Sequence, residues 1–423
     1  MFRLLSRNLT PLRAAAIVFG LAVSVLPSIG EPSYSDWEQP PHRYFERTPT
    51  DRFTQLKSAL ESGELKLDRS GEKAFLLSLL RQLDVPVSSQ MLVFSTTSLQ
   101  LRFISPENPR ALYFNEDIYV GYIPGGRLEI VSIDPELGGV FYIFDIPRGD
   151  APAKVERSQR CMNCHAGEDT GFVPGLVVKS VAPGLAGGSL DSFRRGLTGH
   201  GVPLTERFGG WHVTGADGFT NHWGNALGQQ VAGVLTKVPN PPGSRFRFER
   251  YPAATSDLLP QLLHEHQAGF VNRAVEAGYR ARTHLHHDQG RLTPAHSAEL
   301  DEQARLLTRY LLFADEVPLP AGGVAGSEEF KADFLRHRRS VDGISLKDFE
   351  LATRLFQLRC SYMIYGAAFT GLPSELKQRV YRQLGAALAE SSPASEFAYM
   401  PAGEKAAIRK ILRGTMPDLP AGW

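Results

Sequence analysis

The chain has 423 residues, of which 42% are hydrophobic and 22% are charged, values typical of a globular protein and not of a disordered or fibrous one. Its formal net charge of +1 gives no indication of nucleic acid or an anionic lipid surface as a partner. The length corresponds to two or three domains, and 40 glycines and 29 prolines indicate many turns.

Residues 1–30 have the pattern of a secretory signal peptide. Arginines without any acidic residue precede an apolar run at residues 14–26, and small residues follow this run. The run is shorter than the about 20 residues that span a bilayer, and no later stretch is long and apolar enough to do so. We therefore expect cleavage after Gly30 and a mature protein in the periplasm, with no membrane span.

The first part of the mature chain is predicted to combine two helices with a β-meander. Apolar residues at helical spacing predict helices at residues 53–65 and 71–85. Between residues 90 and 145, short aromatic and β-branched runs alternate with turn sequences such as "SPENP" and "DPELGG". Residues 31–150 are therefore predicted to form a helical entry segment and a β-rich domain.

The rest of the chain changes from loops to helices. Residues 151–238 are rich in glycine and show little helical periodicity, and "VPNPPGS" then indicates a linker. Residues 245–423 show helical periodicity almost throughout, including the stretch "SLKDFELATRLFQLRCSYMIYG" at residues 345–366. The predicted fold class is α+β, with a β-meander-rich N-terminal half, a loop-rich region and an α-helical C-terminal half.

Two of the three cysteines lie in "RSQRCMNCHAGEDTG", residues 157–171, with a histidine directly after the second. Cys161, Cys164 and His165 form the C-x-x-C-H pattern of c-type haem attachment. Two thiols at this spacing reach the two vinyl groups along one edge of a porphyrin, and the next residue then lies beneath the iron. Residues 151–238 are therefore predicted to be a haem c-binding region.

Two other uses of a C-x-x-C pair fit this stretch less well than haem. A redox-active pair usually follows a strand and opens a helix in a thioredoxin-like unit, whereas here the loop-like "AGEDTGFVPG" follows. A zinc site requires further Cys or His ligands at close spacing. The remaining cysteine, Cys360, lies in an apolar stretch and is predicted to be a buried thiol, so no structural disulfide is expected.

At Cys161, Cys164 and His165 the chain resembles the c-type cytochromes. This resemblance implies one haem c per chain, attached through Cys161 and Cys164, with His165 as the proximal iron ligand. It is specific for the cofactor and nearly silent about the reaction, and it assigns no catalytic residue.

The second axial ligand is not fixed by the motif. Between Met162 and Met363 the chain has no methionine, so the Met ligand common in small c-type cytochromes has no candidate in this region. We predict His222, in "TNHWGN", as the distal ligand, because the glycines around it let the backbone approach a planar cofactor. His266, at the centre of an apolar helix face, and His200 are the alternatives. His212, in a strand-like run, is predicted to be exposed.

Three functions follow from these features. The first is a periplasmic mono-haem c-type cytochrome that exchanges electrons with a periplasmic redox partner protein. The second is a haem enzyme or ligand sensor, peroxidase-like or oxygenase-like, with an open distal site and a histidine as acid–base group. The third is a binding protein with a structural haem. The chain is far longer than the roughly 100 residues of a single small domain, which favours more than a minimal electron shuttle.

Overall fold

A computed structural model describes residues 36–149, 151–193, 198–216, 218–389 and 395–423. The predicted signal peptide, residues 1–30, lies outside these residues. The described residues form one compact unit. No helix in the described ranges has the length and apolar character needed to cross a bilayer.

Two helices precede the sheet, as predicted. They are α1 (Arg52–Ser62) and α2 (Glu72–Gln82). The Asp51 carboxylate accepts hydrogen bonds from the backbone N–H groups of Phe53 and Thr54, which starts α1, and Gly63 ends it with a left-handed φ of 74°. The same carboxylate accepts the Tyr142 hydroxyl at 2.7 Å, so the helix start is tied directly to the sheet.

The strands of the described residues include a seven-stranded antiparallel sheet and three two-stranded hairpins. The strands are β1 (Met91–Val93), β2 (Arg110–Phe114), β3 (Ile118–Tyr122), β4 (Leu128–Asp134), β5 (Gly138–Phe144), β6 (Glu156–Arg157), β7 (Val181–Pro183), β8 (Ser189–Ser192), β9 (Trp211–His212), β10 (Ala226–Val231), β11 (Val234–Pro239), β12 (Ser340–Val341) and β13 (Ile344–Ser345). The large sheet has the order β6-β5-β4-β3-β2-β1-β9, so consecutive strands are neighbours from β1 to β6. The predicted β-meander is confirmed.

Both faces of the large sheet are covered. Because side chains alternate along each strand, Tyr113, Val120 and Ile130 point to one face, where they join α1 and α2 in one apolar core. Phe114 and Tyr119 point to the other face and join a second core, formed largely by helices. The site described below lies on this second face.

The helices after the meander are mostly in the C-terminal half, which confirms the α+β class. They are α3 (Met162–His165), α4 (Leu258–His287), α5 (Pro294–Leu311), α6 (Glu328–Leu335), α7 (Ala367–Thr370), α8 (Ser374–Ala387) and α9 (Ala402–Thr415). The long helix α4 is the centre of this half, since most of its residues are buried and it contacts α5, α7 and α8. The Asp257 side chain caps its first turn.

The predicted helix at residues 345–366 is wrong. This stretch is irregular, with a single 3₁₀ turn at Tyr362–Tyr365. The Glu350 carboxylate accepts the backbone N–H groups of Thr353 and Arg354, and Leu351 has a left-handed φ of 62°. This local turn replaces the helix, because such side-chain bonds to the backbone compete with helical ones and tertiary packing overrides periodicity. Cys360 is fully buried, as predicted, and burial raises the pKa of its thiol to about 12.

A buried histidine is expected to make the fold sensitive to acid. His42 hydrogen-bonds Thr283 at 2.9 Å and stacks on Tyr279, and burial, followed by the charge of Arg282, lowers its pKa to about 4. The unfolded chain binds this proton near pH 6.5, so stability decreases as the pH falls from 6.5 towards 4. From pH 7 to 5 His42 alone should remove about 2 kcal/mol. Urea unfolding at both pH values should show that H42Q loses about 2 kcal/mol less unfolding free energy between pH 7 and pH 5 than wild type does. Equal losses in the two proteins would contradict the role of His42.

Candidate functional site

The C-x-x-C-H motif lies on a short helix that follows the meander. The helix α3 continues a 3₁₀ turn, and Cys161 itself has helical dihedral angles (φ −63°, ψ −30°). Residues three and four positions apart in a helix lie on one side, so Cys161, Cys164 and His165 share a side. All three cysteines of the chain are free thiols; Cys164 is exposed and Cys161 is half-buried. Met162 is buried in the core with α1 and α2 and anchors the motif.

The imidazole of His165 is held in one orientation. Its Nδ1 lies 2.9 Å from the carbonyl oxygen of Gly175, and the Gly175 N–H in turn donates to the His165 carbonyl at 2.8 Å. One face of the ring contacts Phe141, with ring centroids 4.5 Å apart. Nε2 forms no hydrogen bond with any residue that the structure describes. A histidine that donates Nδ1–H to a carbonyl presents the Nε2 lone pair to a metal, which is the usual arrangement of a ligating histidine.

The loop that carries Gly175 is fixed from two sides. The Asn272 side chain, from α4, donates to the Leu176 carbonyl at 2.8 Å and accepts the Leu176 N–H at 2.7 Å. From the sheet, the Gly139 N–H donates to the Pro174 carbonyl at 2.9 Å. The orientation of His165 therefore depends on both the sheet and α4.

An ion pair lies on the same sheet face as Phe141. The strand register places Arg110, Glu129 and Phe141 on this face, and the Arg110 guanidinium lies 2.9 Å from the Glu129 carboxylate. Ser98 and Gln100 also donate to Glu129, at 2.8 and 2.9 Å. Burial raises the pKa of Glu129, but Arg110 and these hydrogen bonds outweigh burial and lower it below the ordinary value.

Burial keeps the imidazole of His165 neutral. Burial is the main cause that lowers the pKa of His165, and the Arg110 charge lowers it further. The hydrogen bond to Gly175 and the charges of Glu129 and Asp169 act in the opposite direction without cancelling burial. A neutral imidazole is the form that binds iron. The residues present therefore fit a c-type haem: two thiols on one helix side and a neutral, oriented imidazole.

The structure places His222, the predicted distal ligand, in a local network. Its Nε2 lies 3.0 Å from the Phe219 carbonyl oxygen, and its Nδ1 accepts the Gly224 N–H at 2.9 Å. Both ring nitrogens are therefore occupied, and its ring neighbours are Phe208 and Phe219. In the described part of the chain the structure does not bring His222 into contact with the C-x-x-C-H motif.

The two alternative candidates, His200 and His266, are hydrogen-bonded to each other. Their Nδ1 atoms are 2.8 Å apart, and His266 Nε2 lies 2.7 Å from the Ser361 hydroxyl oxygen. His266 is fully buried, with both ring nitrogens occupied, and burial lowers its pKa to about 3. His200 keeps Nε2 without a partner among the described residues and lines a cavity of about 420 Å³. This cavity is also lined by residues 168–171, which begin three positions after the end of the motif.

The expectation that His212 is exposed is wrong. His212 is fully buried between the rings of Phe94 and Phe246, with centroids 4.6 and 4.9 Å away. The alternation of its neighbours predicted a strand with one solvated face, and β9 is a strand. Both faces of the large sheet are covered, however, so alternation does not lead to exposure here.

Comparison of the chain with protein families, with curated proteins and with solved structures gave no match. Across the described ranges, no three side chains of His, Cys, Asp or Glu are grouped to hold a metal ion. The description of the site therefore rests on its geometry.

Sequence reasoning missed the residues that orient His165. Gly175 is ten positions beyond His165 and Asn272 is 96 positions beyond Leu176, so neither belongs to a local motif. Gly175 lies in "FVPG", where a turn glycine was a weak signal for a close backbone approach. A Cβ at this position would overlap the Asn272 side chain.

Proposed function

We propose that the chain is an exported, periplasmic mono-haem c-type cytochrome that transfers electrons through haem c. Cys161 and Cys164 would hold the haem covalently, and His165 would be the proximal iron ligand. The hydrogen bond from His165 Nδ1 to the Gly175 carbonyl carries this proposal, since it leaves a neutral Nε2 free on the same helix side as both thiols. When bound, haem c supplies reversible one-electron chemistry.

The histidine of the motif, His165, distinguishes haem attachment from the other uses of a C-x-x-C pair. A redox disulfide needs only the two cysteines and gives no reason for an adjacent histidine fixed by a backbone carbonyl. A structural zinc site needs four ligands, of which the motif supplies three at most. A c-type haem uses Cys161, Cys164 and His165 together.

The chain's own residues have three roles in this proposal. The Gly175 carbonyl orients the imidazole of His165 and raises its basicity as a ligand. Phe141 packs against that ring in a tilted arrangement, with ring centroids 4.5 Å apart. The ion pair between Arg110 and Glu129 places one positive and one negative charge on the sheet face near His165. A periplasmic redox partner protein would exchange electrons at the exposed side of the motif, around Cys164.

The direct test is the visible spectrum of the full chain, exported in a host that attaches haem c. We expect a haem spectrum that persists after denaturation and acid–acetone extraction, because thioether bonds survive both treatments. Protein exported without bound haem would contradict the proposal and return the motif to thiol chemistry. A low-spin oxidised spectrum would support electron transfer with a filled sixth position.

The second candidate function is a haem enzyme or ligand sensor with an open distal site. The observation that favours it is the cavity lined by His200 and by residues 168–171, which begin three positions after His165. A high-spin oxidised spectrum that changes on addition of cyanide or imidazole would identify an accessible iron and favour this function over electron transfer.

Replacing Glu129 is expected to raise the reduction potential of the haem. The Glu129 carboxylate acts electrostatically on His165, and a negative charge near the iron stabilises the oxidised, more positive state. E129Q should raise the midpoint potential, and R110Q should lower it, each by on the order of tens of millivolts. The double variant R110Q/E129Q should return close to wild type. Equal potentials in all four proteins, measured by redox titration, would show that the pair does not tune the iron.

A further inference from the structure

A cavity of about 420 Å³ lies between the segment 168–171, the loop 198–201 and the helices α4 and α5. Two glycines make this junction possible. A Cβ on Gly269 of α4 or on Gly199 would overlap the Tyr310 hydroxyl, and Gly199 has a φ of 125° that other residues rarely adopt. The volume is within the range of pockets that bind small organic molecules.

Arg273 lines this cavity with one edge of its guanidinium free. Its Nη1 donates to the carbonyls of Thr198 and Gly269, at 2.9 and 2.8 Å, and the guanidinium carbon lies 4.5 Å from the Tyr310 ring centroid. These contacts fix the side chain in one place. Within the described residues, Nε and Nη2 make no hydrogen bond and the guanidinium has no carboxylate partner. The Nε–Nη2 edge matches the two oxygens of a carboxylate.

Three of the four acidic residues of the cavity wall are paired with a cation, and the fourth, Glu168, is exposed to solvent. Asp169 pairs with Lys179, and the Glu276 carboxylate accepts Arg280 at 3.0 Å. Asp315 accepts the Arg309 guanidinium at 2.7 Å. Each of these three carboxylates is bonded to a cation other than Arg273. A fixed guanidinium that has no carboxylate partner among the described residues favours an anion.

The histidine pair supplies a second polar contact. The His200 ring stacks on Tyr310, with centroids 4.1 Å apart, so His200 and Arg273 both flank the same aromatic ring. His200 Nδ1 is used by His266, which is held in turn by the Ser361 hydroxyl. This chain of hydrogen bonds fixes the His200 ring with Nε2 available to the cavity. A molecule bound in the cavity would therefore contact the guanidinium edge of Arg273 and Nε2 of His200.

We propose that this cavity binds a small organic acid, with its carboxylate on the Nε–Nη2 edge of Arg273 and a second hydrogen-bonding group on His200. This site goes beyond the proposed electron-transfer function and does not depend on it. The carboxylate is the preferred anion because its two oxygens lie in one plane, as the guanidinium edge requires.

Isothermal titration calorimetry of the full exported protein with succinate, at constant ionic strength, tests the site. We expect binding of one succinate per chain, weakened about tenfold or more in R273Q and in R273K, because lysine keeps the charge but lacks the planar fork. The matched control is R245Q, which removes an exposed arginine that pairs with Glu107. Its succinate affinity should equal that of wild type. Thermal unfolding of each variant confirms that it is folded, and H200Q, expected to bind more weakly, gives an independent variant if R273Q does not fold.

Three results would overturn the proposal. They are the absence of binding to wild type, equal affinity in wild type and folded R273K, and binding of inorganic phosphate as tight as that of succinate with the same loss in R273K. The last result would identify a general oxyanion site. The visible spectrum of each preparation is recorded in parallel, so that missing haem, which contradicts the proposed function, is distinguished from missing succinate binding, which contradicts this site.

Discussion

Replacement of both Cys161 and Cys164 by alanine is expected to abolish covalent haem attachment and leave the fold intact. Both thiols lie on one side of α3; Cys164 is exposed and Cys161 half-buried, so their loss opens no large cavity in the core. The measurement is haem-stained denaturing electrophoresis of the exported protein, together with its intact mass. We expect a mass without haem and no stained band, while far-ultraviolet circular dichroism matches wild type.

The chain contains its own control for this experiment. C360A removes the third cysteine, which is fully buried and distant in sequence from the motif. This variant should keep the haem-stained band and lose some stability, on the order of 1 kcal/mol, because a buried side chain is shortened. The single variants C161A and C164A should each retain at most one thioether bond. A stained band of wild-type intensity in the double variant would show that attachment does not use these thiols.

Replacement of Gly138 by alanine is expected to destabilise the fold strongly and to disturb His165. Gly138 begins β5 with a left-handed φ of 75°, and an added Cβ would lie 2.6 Å from the Pro174 carbonyl oxygen and 2.7 Å from Val275. Pro174 directly precedes Gly175, whose carbonyl orients His165. The combined strain and overlap should reduce the free energy of unfolding by about 3 kcal/mol. The measurement is urea unfolding, with the visible spectrum of the iron as a second readout.

G125A separates backbone strain from overlap. Gly125 also has a left-handed φ, of 80°, in a turn of the same meander, but no atom lies within 4 Å of its added Cβ. It should therefore lose only about 1 kcal/mol, the cost of the left-handed conformation. It should also leave the visible spectrum unchanged. Equal losses of stability in G138A and G125A would show that the overlap with Pro174 and Val275 adds nothing to the cost of the left-handed conformation.

The parts of the fold that could be predicted are those encoded locally. The meander was predicted because aromatic and β-branched runs alternate with turn residues, and α1 and α2 because their apolar spacing is regular. Residues 345–366 have the same helical spacing, but the turn at Glu350 and burial of their aromatic side chains override it. Local periodicity does not contain the tertiary contacts that decide such cases.

The candidate site divides in the same way. The C-x-x-C-H motif is contiguous, so the prediction of haem attachment could be made from the sequence alone. The groups that hold His165 come from a loop, a strand and a helix far apart in the chain, and only the folded structure brings them together. The prediction of His222 as distal ligand relied on local glycines, and the structure uses that flexibility to occupy both of its ring nitrogens.

The loop at Pro174–Leu176 joins the meander to the long helix α4 and, through Gly175, to the imidazole of His165. In the haem-loaded protein, the visible absorption spectrum would therefore depend on how the two halves of the chain pack at this loop. A change in either half that moves this loop would be expected to change the orientation of His165. The spectrum would then report the packing of this loop against the meander and α4, as well as the oxidation state of the iron.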